Sequence, residues 1–81
     1  MKINVNFFGI AHDCTDCRTA SVDLPDGATV NDLLNALLLR YRRLGELRSV
    51  LRVAVNHEYV STSVPLSKED EVAIIPPVSG G

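Results

Sequence analysis

Only two cysteines, Cys14 and Cys17, occur in the 81 residues of this chain. Two are too few to staple a small secreted domain, so a reducing cytoplasm is the expected compartment. An excess of positive charge is also missing. The formal net charge is -2, which leaves no basic footprint of the kind nucleic-acid binding requires. Long apolar runs are missing as well. The most apolar stretch, LLNALLL, is broken by Asn35 and closed by Arg40, and the opening MKINVNFF alternates where a leader peptide would have an apolar core. Neither a secretion signal nor a membrane span is expected. Repeats and low-complexity segments are lacking. His57 has no Ser, Cys or carboxylate constellation around it in sequence, so no enzyme active site is evident.

What the chain does have is an orderly change of hydrophobic period. Ile3, Val5 and Phe7 alternate with Asn4, Asn6 and Phe8, which predicts a first strand. A polar stretch, AHDCTDC, leads as a loop into TASVDL, where Ala20, Val22 and Leu24 alternate again, and PDG at Pro25 to Gly27 supplies a turn. The first two strands should form an antiparallel hairpin. Thr29 is placed as an N-cap with Asp32 three residues on, a capping-box spacing. Beyond it Val30, Leu33, Leu34, Leu37, Leu38, Tyr41 and Leu44 keep helical spacing, which predicts one main helix ending near Gly45. RVAVN from Arg52 and EVAII from Glu71 read as further strands. NHEYV can turn the chain into a short extra one, and PLSKED reads as a turn.

This is an α+β plan: a mixed sheet of four to five strands with one main helix across one face. A ferredoxin-like arrangement would need a second crossover helix, and after Val53 no segment is long and periodic enough to supply it. The first and last strands are then expected as central neighbours, as in the ubiquitin-like β-grasp. Residues 1–75 form the single domain in this reading, and residues 76–81 an extended Gly-Gly tail.

The tail has a physical logic of its own. Pro76 and Pro77 cannot donate to a sheet ladder, so the strand EVAII must stop before them. They also favour an extended path, and the last six residues can reach on the order of 20 Å from the body. Val78 and Ser79 continue the lead, and Gly80 and Gly81 contribute no Cβ. Such a thread can enter a channel too narrow for side chains and place the carboxylate of Gly81 at its end.

The stretch VAVNHEYVSTSVPLSKEDEVAIIPPVSGG, with VN, a PL turn, DEVA and PPVSGG in order, resembles the second half of the small subunit of molybdopterin synthase, the MoaD-like sulfur carriers. The paired aromatics of NFFG are similar to that family's opening strand, and the resemblance runs over nearly the whole chain. It implies a carrier whose chemistry sits on one atom. An E1-like adenylating enzyme would use ATP to convert the Gly81 carboxylate to an acyl adenylate. A sulfur donor, such as a cysteine desulfurase or rhodanese, would convert that in turn to a thiocarboxylate. The tip would then be inserted into the large synthase subunit, within a heterotetramer, to supply the dithiolene sulfur of molybdopterin. No cofactor is expected on the chain itself. Pro76, Pro77 and Val78 carry over as the stiff lead, Ser79 as part of the thread, and Gly80 as the slim residue behind the tip.

The terminus alone does not separate this carrier from a ubiquitin-like modifier joined through Gly81 to lysines, whereas the double proline of PPVSGG sets it apart from the similar thiamine sulfur carriers, which share the Gly-Gly but usually lack it. A sulfur carrier for another pathway, thiamine, cysteine or thiolated-nucleoside synthesis, stays as an alternative function. An interaction module with an inert tail is the third class. Partner binding needs a surface, and a sheet covered on one side leaves the other available. Phe8 and Ile75 are expected to face partners there. Cys14 and Cys17 have the spacing of a zinc pair, a redox dithiol or a local disulfide, with His12 near enough to join a metal site, or they form an incidental loop pair. Five of the basic residues fall between Arg40 and Arg52, where they suit a helix C-terminus or an acidic patch on the activating enzyme.

Overall fold

The alternation in KINVNF becomes strand β1, Lys2–Phe7, with Ile3, Val5 and Phe7 buried and Lys2 and Asn4 exposed. The structure is a computed structural model and describes residues 1–76. Strand β2, Thr19–Asp23, pairs antiparallel with β1, setting Lys2 opposite Asp23 and Asn6 opposite Thr19. The connection between them is not the loop that the polar letters suggest. Residues Ile10–Thr15 form a short helix, α1, with Ala11 and Thr15 buried. Its N-cap, Gly9, makes no side-chain hydrogen bond. Packing of Ala11 and Thr15 therefore stands in for local propensity, as helices this short require.

Helix α2, Val30–Arg40, starts as the spacing predicts. Thr29 Oγ1 accepts from the Asp32 N–H at 3.3 Å, and Asp32 Oδ2 accepts from the Thr29 N–H at 2.9 Å. Such a cap is worth about 1 kcal/mol. The helix buries Val30, Leu33, Leu34 and Leu37. It ends at Arg40, earlier than Gly45, because Tyr41 leaves the helical region at φ -120°, ψ 89°. The Tyr41 ring then meets Phe7 edge-on, with centroids 5.7 Å apart. A 3-10 helix, Arg42–Leu47, follows and drives Leu44 fully into the core. The helical spacing of Leu44 thus has a tertiary cause, not a continuing α-helix.

Strand β3 is Arg52–Val55, β4 is Glu58–Val60 and β5 is Glu71–Ile75. Asn56 and His57 both have positive φ, 53° and 72°, and close the β3–β4 hairpin as its two-residue turn. The sheet order is β2-β1-β5-β3-β4, with β1 and β5 parallel and the other neighbours antiparallel. The first and last strands are central, as the β-grasp expectation requires. Among the described residues, no helix is long and apolar enough to cross a membrane.

The core lies between α2 and one face of this sheet. Val72 and Ile74 of β5 are fully buried beside Val5, Leu33 and Leu37, and each such side chain contributes about 1.5–3 kcal/mol by leaving water. Parallel pairing of β1 with β5, and antiparallel pairing of β3 with both β5 and β4, gives the sheet two distinct ends. Phe7, Arg52 and Ile75 lie at one, and Lys2, Asn56 and Glu71 at the other.

Candidate functional site

The sheet face away from α2 has no covering layer among the described residues, and its composition changes along its length. Row by row, Asn4 pairs with Glu71, Asn6 with Ala73, and Ala73 with Ala54, which itself pairs with Tyr59. The two alanines make a low floor between taller neighbours. A hollow of about 290 Å³ results, walled by Phe8, Tyr59 and Ile75. Its polar lining is Asn6, His57 and Glu71. Phe8 is 51% exposed and Tyr59 61% exposed, a large apolar exposure for so small a domain. Arg52 stacks over the Tyr59 ring, 5.5 Å from its centroid, so one wall already carries a cation–π contact.

Phe8 and Ile75, singled out from the sequence, are thus brought to one hollow. The residues that sequence reasoning missed are Tyr59 and the alanine floor. Tyr59 carried a signal, since it alternates with the half-buried Val60 across the hairpin. The floor carried none within either strand alone, because Ala54 and Ala73 meet only through the β3–β5 register.

At the end of this face the chain leaves the sheet. The Phe8 N–H donates to the Ile74 carbonyl at 3.2 Å, carrying the β1–β5 ladder one residue beyond β1. Gly9 then turns the chain at φ 55°, ψ -133°, a backbone region suited to glycine. A Cβ added to Gly9 would stand 3.1 Å from Pro76 Cγ. Pro76 therefore sits directly on the bare α-carbon of Gly9. The other tail residues named above, Pro77, Val78, Ser79, Gly80 and Gly81, lie outside the described residues.

The remaining candidates are scattered. Cys14 and Cys17 are free and half-buried, and Cys17 Sγ lies 3.7 Å from the Tyr41 hydroxyl. His12 Nδ1 faces Asp13 Oδ1 at 3.7 Å. Among the described residues, no three His, Cys, Asp or Glu side chains come together to hold a metal ion. His57 is exposed, with Nε2 3.1 Å from Glu71 Oε2. Of the arginines, Arg48 donates to the Asn31 and Asn35 side-chain carbonyls and Arg40 to the Ser21 carbonyl, so part of the basic cluster has structural work.

Comparison with known proteins adds to this geometry. A family model described as "ThiS family" matches residues 5–81. The chain is similar to a protein of Arabidopsis thaliana named "Molybdopterin synthase sulfur carrier subunit", 37% identical over 81 residues, covering all of this chain and 84% of the relative. Among solved structures it is similar to SAMP1 from Haloferax volcanii, with a TM-score of 0.87, 31% identity and full coverage of both chains. It is also similar to a chain in a complex of subunits 1 and 2 of molybdopterin-converting factor from Helicobacter pylori. That match has a TM-score of 0.71 and 26% identity, again with full coverage of both chains.

Proposed function

The chain belongs to the ThiS family, and from that premise we propose that it is a sulfur carrier, acting as the small subunit of a molybdopterin synthase. The observation that carries this reading is the match, along all of the chain, to a relative named as the sulfur carrier subunit of that synthase. The matched span of this chain takes in its own ending, PPVSGG.

The chemistry follows from the weakness of a free carboxylate as an electrophile. An adenylating enzyme joins the Gly81 carboxylate to the α-phosphorus of ATP, releasing pyrophosphate. Bisulfide then attacks the carbonyl carbon, a C–S bond forms, and AMP leaves with the pair of the broken C–O bond. If a donor protein's persulfide attacks instead, the acyl disulfide formed is cleaved by a thiol reductant, which supplies the two electrons. The thiocarboxylate so formed is a nucleophile itself and delivers its sulfur within the large subunit. The chain's own contribution is placement. The hollow of Phe8, Tyr59 and Ile75 is the surface that partners grip in this reading. Pro76 on Gly9 sets where the reactive segment starts relative to that grip. A neighbour solved as a complex of two subunits supports a larger partner of this kind.

The test is the intact mass of the chain after incubation with ATP, its activating enzyme and a sulfide donor. The mass should rise by the difference between sulfur and oxygen, and a chain lacking Gly81 should not change. An unchanged mass with a competent activating enzyme overturns the carrier reading.

A second reading, a protein modifier joined through Gly81 to lysines, is favoured by the likeness to SAMP1, described as a small archaeal modifier protein. Gly81 found isopeptide-linked to cellular proteins supports it. Copurification with one larger subunit and no such linkage supports the carrier alone.

A further inference from the structure

Cys14 and Cys17 have no part in the carrier chemistry, yet the fold builds a turn around them. Cys14 lies in the last turn of α1, and Asp16 then takes the left-handed conformation at φ 59°, ψ 26°. The Asp16 N–H donates to the His12 carbonyl at 2.8 Å. The Thr15 hydroxyl donates to the Cys17 carbonyl at 3.0 Å and accepts from the Cys17 N–H at 3.4 Å. Thr15 is also the one buried polar residue among the described residues. A buried hydroxyl is thus committed to holding the backbone between the two sulfurs.

A cysteine kept only for packing belongs among the most completely buried residues. Cys14 and Cys17 do not, since both are free, half-buried and packed at the margin of the core. A turn holds its first and fourth Cα atoms within about 7 Å, and a disulfide spans about 4.4–6.8 Å between Cα atoms. The bond therefore needs only local adjustment. Half-exposed, it would also stay open to exchange with other thiols.

We infer that Cys14 and Cys17 form a reversible disulfide site, exchanging with small disulfides such as oxidised glutathione, and that its state is transmitted to Phe8 and Gly9. One thiolate of the pair attacks a sulfur of the small disulfide, a mixed disulfide forms and one glutathione thiolate leaves. The second thiolate attacks the chain's sulfur in that mixed disulfide, the Cys14–Cys17 bond forms and the second glutathione leaves. The chain gives up two electrons and two protons, and the two glutathione thiols receive them. Transmission has two routes. Cys17 Sγ lies 3.7 Å from the Tyr41 hydroxyl, and the Tyr41 ring meets Phe7 edge-on, so drawing Cys17 toward Cys14 releases Tyr41. At the start of α1 the Ala11 N–H donates to the Phe8 carbonyl at 3.1 Å and the His12 N–H to the Gly9 carbonyl at 3.0 Å. A pull on the last turn of a helix only six residues long reaches its first turn. Neither half of the inference requires sulfur transfer, so both are tested apart from the carrier reading.

The experiment titrates the full chain with oxidised glutathione and follows intact mass, peptide maps and amide NMR spectra. A species two hydrogens lighter is expected, with its bridge mapped to Cys14 and Cys17 and removed by dithiothreitol. C14S and C17S should each hold glutathione on the remaining cysteine, at least about tenfold more of it than the native chain, where the neighbouring thiol expels it. The Phe8, Gly9 and Tyr41 amides should shift on oxidation, and those of Asn56 and His57 should stay in place. No reaction, covalent dimers in place of the lighter monomer, or a native chain that retains glutathione on one cysteine each overturns the disulfide site. A bridge that forms without moving Phe8 or Gly9 overturns the transmission. A bridge that collapses the whole spectrum overturns it too, because the bond then breaks the fold instead of acting within it.

Discussion

The two ends of the one sheet are built in opposite ways. At the Asn56 end, side chains do the fastening: Asn56 holds Asp70 through Nδ2 and the Glu71 N–H through Oδ1, and its own N–H donates to the Glu71 carbonyl. Asp70 closes the Ser67 turn, and His57 meets Glu71. At the Pro76 end the links are a backbone bond from Phe8 to Ile74 and the contact of a proline ring with a bare glycine. Large apolar side chains stand exposed there. One end thus spends its side chains on holding the fold, and the other leaves Phe8 and Ile75 free for another molecule. The emphasis passes from stability to recognition along a strand only five residues long, with His57 and Glu71 serving the turn and also lining the hollow.

The comparison can be broken by substitutions that cross it. The largest effect is expected from Phe8→Asp. It should weaken binding to the large subunit or the activating enzyme by about 2 kcal/mol or more, measured by calorimetric titration, while urea unfolding shifts by no more than about 0.5 kcal/mol. A large loss of stability from this variant would mean that the Pro76 end also holds the fold. Next comes Asn56→Gly, which keeps the positive φ and removes only the side-chain bonds. It should cost about 1–2 kcal/mol in unfolding free energy and leave partner affinity unchanged. Gly9→Ala sharpens the contrast in the other direction, because strain at a positive φ costs on the order of 1–3 kcal/mol and the added Cβ presses on Pro76. Both stability and the rate of adenylation should fall, the first read by denaturant titration and the second by pyrophosphate release. The smallest signal is expected from Arg52→Lys, which places an amine beside Ile75. A minor monomer lighter by one water should appear under activating conditions, resolved by intact mass, and should vanish when Gly81 is removed.

Much of this contrast was legible in the letters. The alternation of KINVNF put Phe8 on the side away from Ile3 and Val5, and EVAII did the same for Ile75. Thr29 and Asp32 announced the start of α2 by their spacing, and NHEYV contained the hairpin turn. Helix α1 was hidden because IAHDCT is too short for a period to emerge, and its support comes from Ala11 in the common core and from the Thr15 hydroxyl, which donates to the His12 and Cys17 carbonyls. The end of α2 was hidden for a related reason. Leu44 stays in helical step with Leu37, yet it reaches the core through a 3-10 turn made possible by Tyr41 packing on Phe7. The Ala54–Ala73 floor is a property of register between two strands and belongs to neither alone. The seat of Pro76 on Gly9 is likewise a meeting of distant positions, although a glycine directly after a strand was a visible hint of it.

The place of β5 in the order β2-β1-β5-β3-β4 also bears on how the chain is made. A nascent chain that has not yet supplied Glu71–Ile75 has two hairpins, β1 with β2 and β3 with β4, and no strand to join them into one sheet. The inner edges of β1 and β3 then remain unpaired, and such a fragment is material for proteolysis and aggregation. Translation must run through the last described strand before the sheet can close. The fold therefore acts as a proofreading step on its own synthesis: a domain that has closed is one whose ribosome has already reached the doorstep of the segment that carries Gly81.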